Sequence, residues 1–123
     1  LIAADMIKKL SNEDSTLALA GSAHVLFPLT GLLPTSFNTS DLRRTYQNFN
    51  WNEDELVALL KREKPTLIFP TRQQLPGIKI LSRAIQRTNL YERVAIISYS
   101  PDVYYKSING DIYRLKSFRN DSN

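Results

Sequence analysis

The chain has no cysteine and only one histidine, His24, and both shortages restrict the chemistry it can perform. Without cysteine it forms no disulfide and no thiolate zinc site, and its redox compartment stays open. A zinc-activated water usually needs two or three imidazoles, and a Ser-His-Asp triad would depend on His24 alone. We therefore expect no metal site, no cofactor and no self-contained catalytic site.

Glycine and long apolar runs are also scarce. The chain has four glycines and neither the three-glycine pattern nor the lysine-bearing loop that holds phosphates, which disfavours a dinucleotide-binding fold. No apolar run approaches the ~20 residues that span a bilayer, and no basic-then-apolar leader opens the chain. We expect a soluble fragment. Because it opens at Leu1 within a helical pattern, we also expect that an upstream part has been removed.

The composition suits one folded domain. A length of 123 residues with 42% hydrophobic residues allows a single core, and we predict one domain over 1–123 with a frayed tail at 117–123. The net charge of +4 comes from 16 basic and 12 acidic residues. The basic residues are scattered along the sequence, which argues against a nucleic-acid partner.

Hydrophobic periodicity predicts three helices. The first covers 2–10, the second follows Asn52, and the third follows Pro76. Asn52 is a predicted N-cap, and Asn89 is a predicted left-handed stop for the third helix.

Short apolar runs predict the strands of an α/β fold. Three core strands are expected at 16–20, 66–69 and 93–98, and two further runs at 103–108 and 111–115 flank Asn109-Gly110, a pair typical of a type I′ hairpin. The predicted fold is a small layered domain with three mainly parallel strands, flanking helices and a C-terminal antiparallel hairpin at one edge. Leu19, Ile68 and Ile96 should be buried in adjacent strands.

Ligands of such sheets tend to lie beyond the carboxyl ends of the strands. Here those positions are Gly21 and Ser22, the segment after Pro70 that contains Arg72, and residues 99–102. A single Gly-Ser pair is a weak signal, and a tight exit from a strand is the favoured explanation of it.

A long connection over 34–50 is the most informative irregular segment, because loops of this length usually have a function or are mobile. It and its border hold these candidate binding residues: Phe37, Arg43, Arg44, Tyr46, Phe49 and Trp51. Aromatic planes stack on sugars, and arginine binds phosphate. Two alternatives stay open for the aromatic residues: they pack within the loop, or Trp51 packs under the following helix as a hydrophobic staple. For Arg43 and Arg44 the favoured alternative is that both are solvated.

Other polar residues have simpler explanations. The acids Asp41, Glu53, Asp54 and Glu55 lie near the loop, but three of the four fall in the first turn of a helix, where capping explains them. The triplets at 38–40 and 120–122 match the glycosylation sequon, which matters only in a secreted protein of a glycosylating source.

Four segments together resemble the soluble C-terminal domain of membrane glycosyltransferases related to dolichyl-phosphate-mannose protein mannosyltransferases and aminoarabinose transferases. They are TLALAG at 16–21, FPLTG at 27–31 followed by Pro34-Thr35, EKPTLIF at 63–69, and NGDIYRL at 109–115. The resemblance extends over most of the chain. It implies that the domain follows the last membrane span.

The resemblance implies a non-catalytic, extracytoplasmic domain of a polyprenyl-phosphate-sugar-dependent glycosyltransferase. Such a domain would cover the membrane-embedded site or assist acceptor selection. Its partners would be the membrane part of the same protein and a lipid-linked sugar or glycan acceptor. The family's catalytic carboxylates lie between membrane spans, so no residue here inherits their role. The alternative is a free-standing α/β binding module or small enzyme for a phosphorylated or nucleotide ligand.

Overall fold

The computed structural model describes residues 2–20, 30–34, 52–70, 76–97 and 110–119, which form a mixed α/β domain. Its three helices are α1 (Ile2–Lys9), α2 (Glu53–Glu63) and α3 (Pro76–Thr88). Its strands are β1 (Thr16–Ala20), β2 (Leu33–Pro34), β3 (Leu67–Pro70), β4 (Tyr91–Ile97) and β5 (Gly110–Leu115). Within these ranges four strands have at least four residues, and β2 adds a two-residue edge that the sequence analysis did not predict.

The strands form one open sheet in the order β2-β1-β3-β5-β4. β1 is parallel to both β2 and β3, whereas β5 is antiparallel to both β3 and β4. β4 therefore points in the same direction as β3 but is separated from it by β5. The prediction of a mainly parallel sheet is wrong, because the longest ladder, between β4 and β5, is antiparallel.

The position of β5 also corrects the predicted hairpin. A hairpin at 103–115 was expected to extend one edge of the sheet, but β5 lies inside the sheet between β3 and β4. The expected first strand, at 103–108, lies outside the described residues. The outer strand on this side is β4, whose ladder with β5 joins Tyr91 to Leu115 and Ile97 to Gly110.

Alternation along the strands divides the core into two layers. On β3, Leu67 and Phe69 face α1, whereas Ile68 faces α2 and α3. All four residues of β3 are buried, as expected for a central strand covered on both faces. The described part of the chain is therefore a three-layer arrangement, with one helix on the first face and two on the second.

Two helix ends lie where the sequence predicts them. The Asn52 side chain accepts hydrogen bonds from the backbone N–H groups of Asp54 and Glu55 at 2.8 and 3.2 Å, so the predicted N-cap is confirmed. Asn89 has φ 56°, so the predicted left-handed stop of α3 is also confirmed. Lys64 ends α2 in the same left-handed region with φ 46°.

An irregularity in β4 explains why one core prediction failed. The register with β5 shifts between Arg93 and Ala95, and Val94 and Ala95 both pack on the face of α1. Because such a bulge reverses the alternation that follows, Ile97 faces α1 and Ile96 faces the opposite side. Ile96 is 57% exposed there, so its predicted burial is wrong.

The structure describes the side chain of one of the other two predicted core residues. Ile68 is 1% exposed, which confirms its predicted burial. Leu19 belongs to β1 and pairs with Phe69 across the sheet, but its side chain lies outside the described residues.

Ile68→Ala should lower the free energy of unfolding by about 2–4 kcal/mol, because it leaves a cavity in the central strand. Ile96→Ala removes the same atoms from an exposed position and is the matched control, with an expected loss of less than about 0.5 kcal/mol. Chemical denaturation measures both. Equal losses in the two variants would contradict the assignment of the two faces.

Candidate functional site

Three strands end at one edge of the sheet, which we call the carboxyl edge. Ala20 pairs with Pro70 across β1 and β3, and Ile97 pairs with Gly110 across β4 and β5. The ends of β1, β3 and β4 and the start of β5 therefore lie at the same side of the domain. This is the side on which ligands of open α/β sheets usually bind.

The candidate residues from the sequence follow these strand ends along the chain. Gly21 and Ser22 follow Ala20, and Arg72 comes two residues after Pro70. These three lie outside the described residues, as do segment 99–102 and the six loop candidates: Phe37, Arg43, Arg44, Tyr46, Phe49 and Trp51. The structure does show that the ends of β1, β3 and β4, which these segments follow in sequence, lie at one common edge.

The described part of the carboxyl edge contains a group that the sequence analysis missed. Asp111 pairs with Ile96 in the ladder, and its carboxylate lies 3.6 Å from the guanidinium of Arg93. Tyr113 lies in register with Arg93, and burial, together with the neighbouring Asp111 carboxylate, raises the pKa of its hydroxyl. Ile96 is thus an exposed apolar side chain on the outer strand β4, beside an ion pair that joins β4 to β5.

No sequence signal would have found this group. Its members come from two strands that are distant along the chain, and the bulge at Val94 is what turns Ile96 outward. An alternating pattern read without the bulge places Ile96 and Ile97 on the wrong faces.

The acids at the start of α2 join two helices. Glu53 accepts hydrogen bonds from Arg83 at 2.8 Å and from Arg87 at 2.9 Å, and Arg87 also lies 2.7 Å from Asp54. The hydrogen bonds from Arg83 and Arg87 hold the pKa of Glu53 below its ordinary value. A carboxylate held in this ionised form is a poor general acid, so the group is structural, consistent with the helix-end explanation of these acids.

Tyr91 is another buried polar group with a structural contact. Its hydroxyl donates a hydrogen bond of 2.7 Å to the carbonyl of Pro65, just before β3. Burial raises the pKa of Tyr91 well above its ordinary value, so the hydroxyl stays protonated. The contact joins the beginnings of β3 and β4.

A shallow cleft of about 220 Å³ lies at the opposite end of the sheet, beside the turn between α1 and β1. Its lining is Lys8, Ser11, Asn12, Glu13, Thr30 and Leu32. The Ser11 hydroxyl donates to the carbonyl of Ile7 at 2.7 Å, and the Asn12 side chain accepts from Asp14 N–H and the Ser15 hydroxyl. These hydrogen bonds hold the turn between α1 and β1.

The described ranges also bear on a metal site and on a membrane span. Among those residues no group of three or more His, Cys, Asp or Glu is placed to hold a metal ion. None of α1, α2 and α3 combines the length and the apolar character that crossing a bilayer requires.

Glu53→Gln should lower the unfolding midpoint at about pH 7, and the difference from the unchanged chain should shrink towards about pH 3. A carboxyl whose pKa is lower in the folded state stabilises that state above its unfolded pKa, and this stabilisation is lost as the pH falls through the folded pKa. Glu55→Gln removes the same charge from the same helical turn and is the control. If Glu53→Gln lowered the unfolding midpoint by the same amount at both pH values, the stabilising role of the ionised Glu53 carboxylate would be contradicted.

No protein-family model, curated protein or solved structure matches the chain. Its function therefore has to be inferred from its residues, its fold and the geometry of the carboxyl edge.

Proposed function

We propose that the chain is a non-catalytic domain of a polyprenyl-phosphate-sugar-dependent membrane glycosyltransferase, at the extracytoplasmic face of the membrane. In this proposal its carboxyl edge covers the membrane-embedded site or assists acceptor selection. The observation that carries the proposal is the common direction of β1, β3 and β4, whose ends lie at that one edge. Segments that leave one edge can form one surface against a partner.

The choice of a glycosyltransferase rests on the sequence. The four segments that resemble the family include β1 and β5, and EKPTLIF at 63–69 contains the end of α2 and most of β3. Three of the four resembling segments thus include core elements of the sheet. Aromatic and arginine side chains in the connection after β2 suit sugar and phosphate.

A non-catalytic role is supported by the described ionisable groups. Glu53 and Asp54 are paired with arginines of α3, and Asp111 is paired with Arg93. General acid-base catalysis needs carboxyl groups whose surroundings separate their pKa values within reach of a substrate. Each of these carboxylates is instead paired with an arginine, and for Glu53 the hydrogen bonds from Arg83 and Arg87 hold the pKa below its ordinary value.

One observation also favours the alternative, a free-standing α/β module for a phosphorylated or nucleotide ligand. The carboxyl edge is where such sheets bind small ligands without any membrane partner. The coding sequence upstream of Leu1 separates the two. Several apolar segments of ~20 residues there would support the membrane enzyme, and an initiator codon directly before Leu1 would remove it.

In the complete enzyme, the triple variant Arg43→Ala, Arg44→Ala and Tyr46→Ala should reduce sugar transfer at least several-fold, because it removes two cations suited to phosphate and a stacking ring. The unfolding midpoint of the domain should stay nearly unchanged. Transfer is measured with a lipid-phosphate sugar donor in membranes that contain equal amounts of each variant.

The control is Lys8→Ala with Lys9→Ala, which removes two exposed cations from the last turn of α1, at the opposite end of the sheet. This control should retain full transfer. The 123-residue chain alone should transfer no sugar. Unchanged transfer by the loop variant, or turnover by the chain alone, would contradict the proposal.

A further inference from the structure

The end of the sheet opposite the carboxyl edge carries a concentration of positive charge, which we call the basic edge. It is formed by the last turns of α1 and α2 and by the residues after β5. Its members, all exposed, are Lys8, Lys9, Lys61, Arg62, Lys64, Lys116 and Arg119.

Contacts of the β5 end bring these three groups together. Arg114 donates a hydrogen bond of 3.2 Å to the carbonyl of Leu10, directly after α1. The backbone N–H of Leu115 donates to the carbonyl of Thr66 at 3.0 Å, two residues after the end of α2 at Lys64. The tail after β5 therefore lies between the ends of α1 and α2.

Acidic residues at the same end are fewer. They are Glu13, Asp14, Glu63 and Glu92, together with Glu53 and Asp54, which reach the last turns of α3. Glu63 is paired with Arg62 at 3.5 Å, and Glu53 and Asp54 are paired with Arg83 and Arg87. The described contacts of Lys9 and Lys61 include no carboxylate. The edge therefore presents a net positive field in a molecule whose total formal charge is +4.

Helix ends explain only part of this charge. Cations in the last turns of α1 and α2 complement the negative ends of the helix dipoles. Lys116 and Arg119, however, follow a strand, and strands have little net dipole. Among the described residues, Lys116 Nζ donates a hydrogen bond of 2.9 Å to the amide oxygen of Asn89, a neutral partner that does not offset its charge.

We propose that the basic edge is a docking surface for an acidic polypeptide segment of a partner protein. Five of the seven cations are lysines, which act as mobile point charges without the planar bidentate geometry of arginine. A spread of exposed lysines suits a run of Asp and Glu side chains on a partner. This surface lies opposite the carboxyl edge and does not depend on the function proposed for that edge.

The same residues fit other polyanions less well. Single-stranded nucleic acid requires free aromatic rings on which bases stack, but Phe118, the aromatic residue of this tail, lies 5.1 Å under Arg114. Membrane-surface helices place large apolar side chains beside their cations. Among the described residues the exposed large apolar side chain is Ile96, next to the carboxyl edge.

The test measures binding of the full chain to immobilised poly-L-glutamate at low and physiological salt. A double variant, Lys61→Gln with Lys116→Gln, removes two charges from the basic edge. Its control, Lys79→Gln with Arg93→Gln, removes two charges elsewhere and leaves the same net charge. The basic-edge variant should lose affinity roughly tenfold, and the control should stay within about twofold of the unchanged chain.

Vesicles of phosphatidylglycerol and phosphatidylcholine and a single-stranded oligonucleotide serve as competing probes. Weaker binding to both than to poly-L-glutamate, with loss confined to the basic-edge variant, would support the proposal. Equal losses of affinity for poly-L-glutamate in the two double variants would mean that binding depends on net charge alone, which would overturn the proposal. Tighter binding to vesicles or to the oligonucleotide would overturn it in favour of that polyanion.

Discussion

The insertion of β5 between β3 and β4 is the constraint on which the rest of the structure depends. Its backbone forms hydrogen bonds with both neighbouring strands. At its end, the N–H of Leu115 donates to the carbonyl of Thr66, and the N–H of Lys116, the next residue, donates to the carbonyl of Leu90. Its side chains serve both core layers, because Ile112 faces α1 and Tyr113 faces α2 and α3. Within the described sheet, β5 thus joins β3 to β4, two strands that do not pair with each other.

Both proposed surfaces follow from this insertion. On the carboxyl edge, β5 brings Asp111 to Arg93 and aligns the end of β4 with those of β1 and β3. On the opposite edge, the end of β5 carries Lys116 to the end of α3 and Arg114 to the end of α1. Contacts of β5 therefore bring together residues at both edges of the sheet.

The features that the sequence predicted are local ones. The caps at Asn52 and Asn89 depend on a few neighbouring residues, and the helix and strand positions depend on short apolar patterns. The site of β5 insertion depends on pairings between distant residues, which periodicity does not encode. The exposure of Ile96 was missed for a related reason, since one extra residue in β4 reverses the alternation after it. Of the candidate site, the sequence indicated the edge but not the group of Arg93, Ile96 and Asp111.

Native-state hydrogen exchange, resolved by residue, tests the role of β5 most directly. If β5 holds the sheet together, amides of β1, β3, β4 and β5 should open with one common free energy, equal to that of global unfolding. The N–H groups of Leu115 and Lys116 are the most informative, because they donate to the two separated parts of the sheet. A β4–β5 unit that opens several kcal/mol more easily than β1 and β3 would contradict this account.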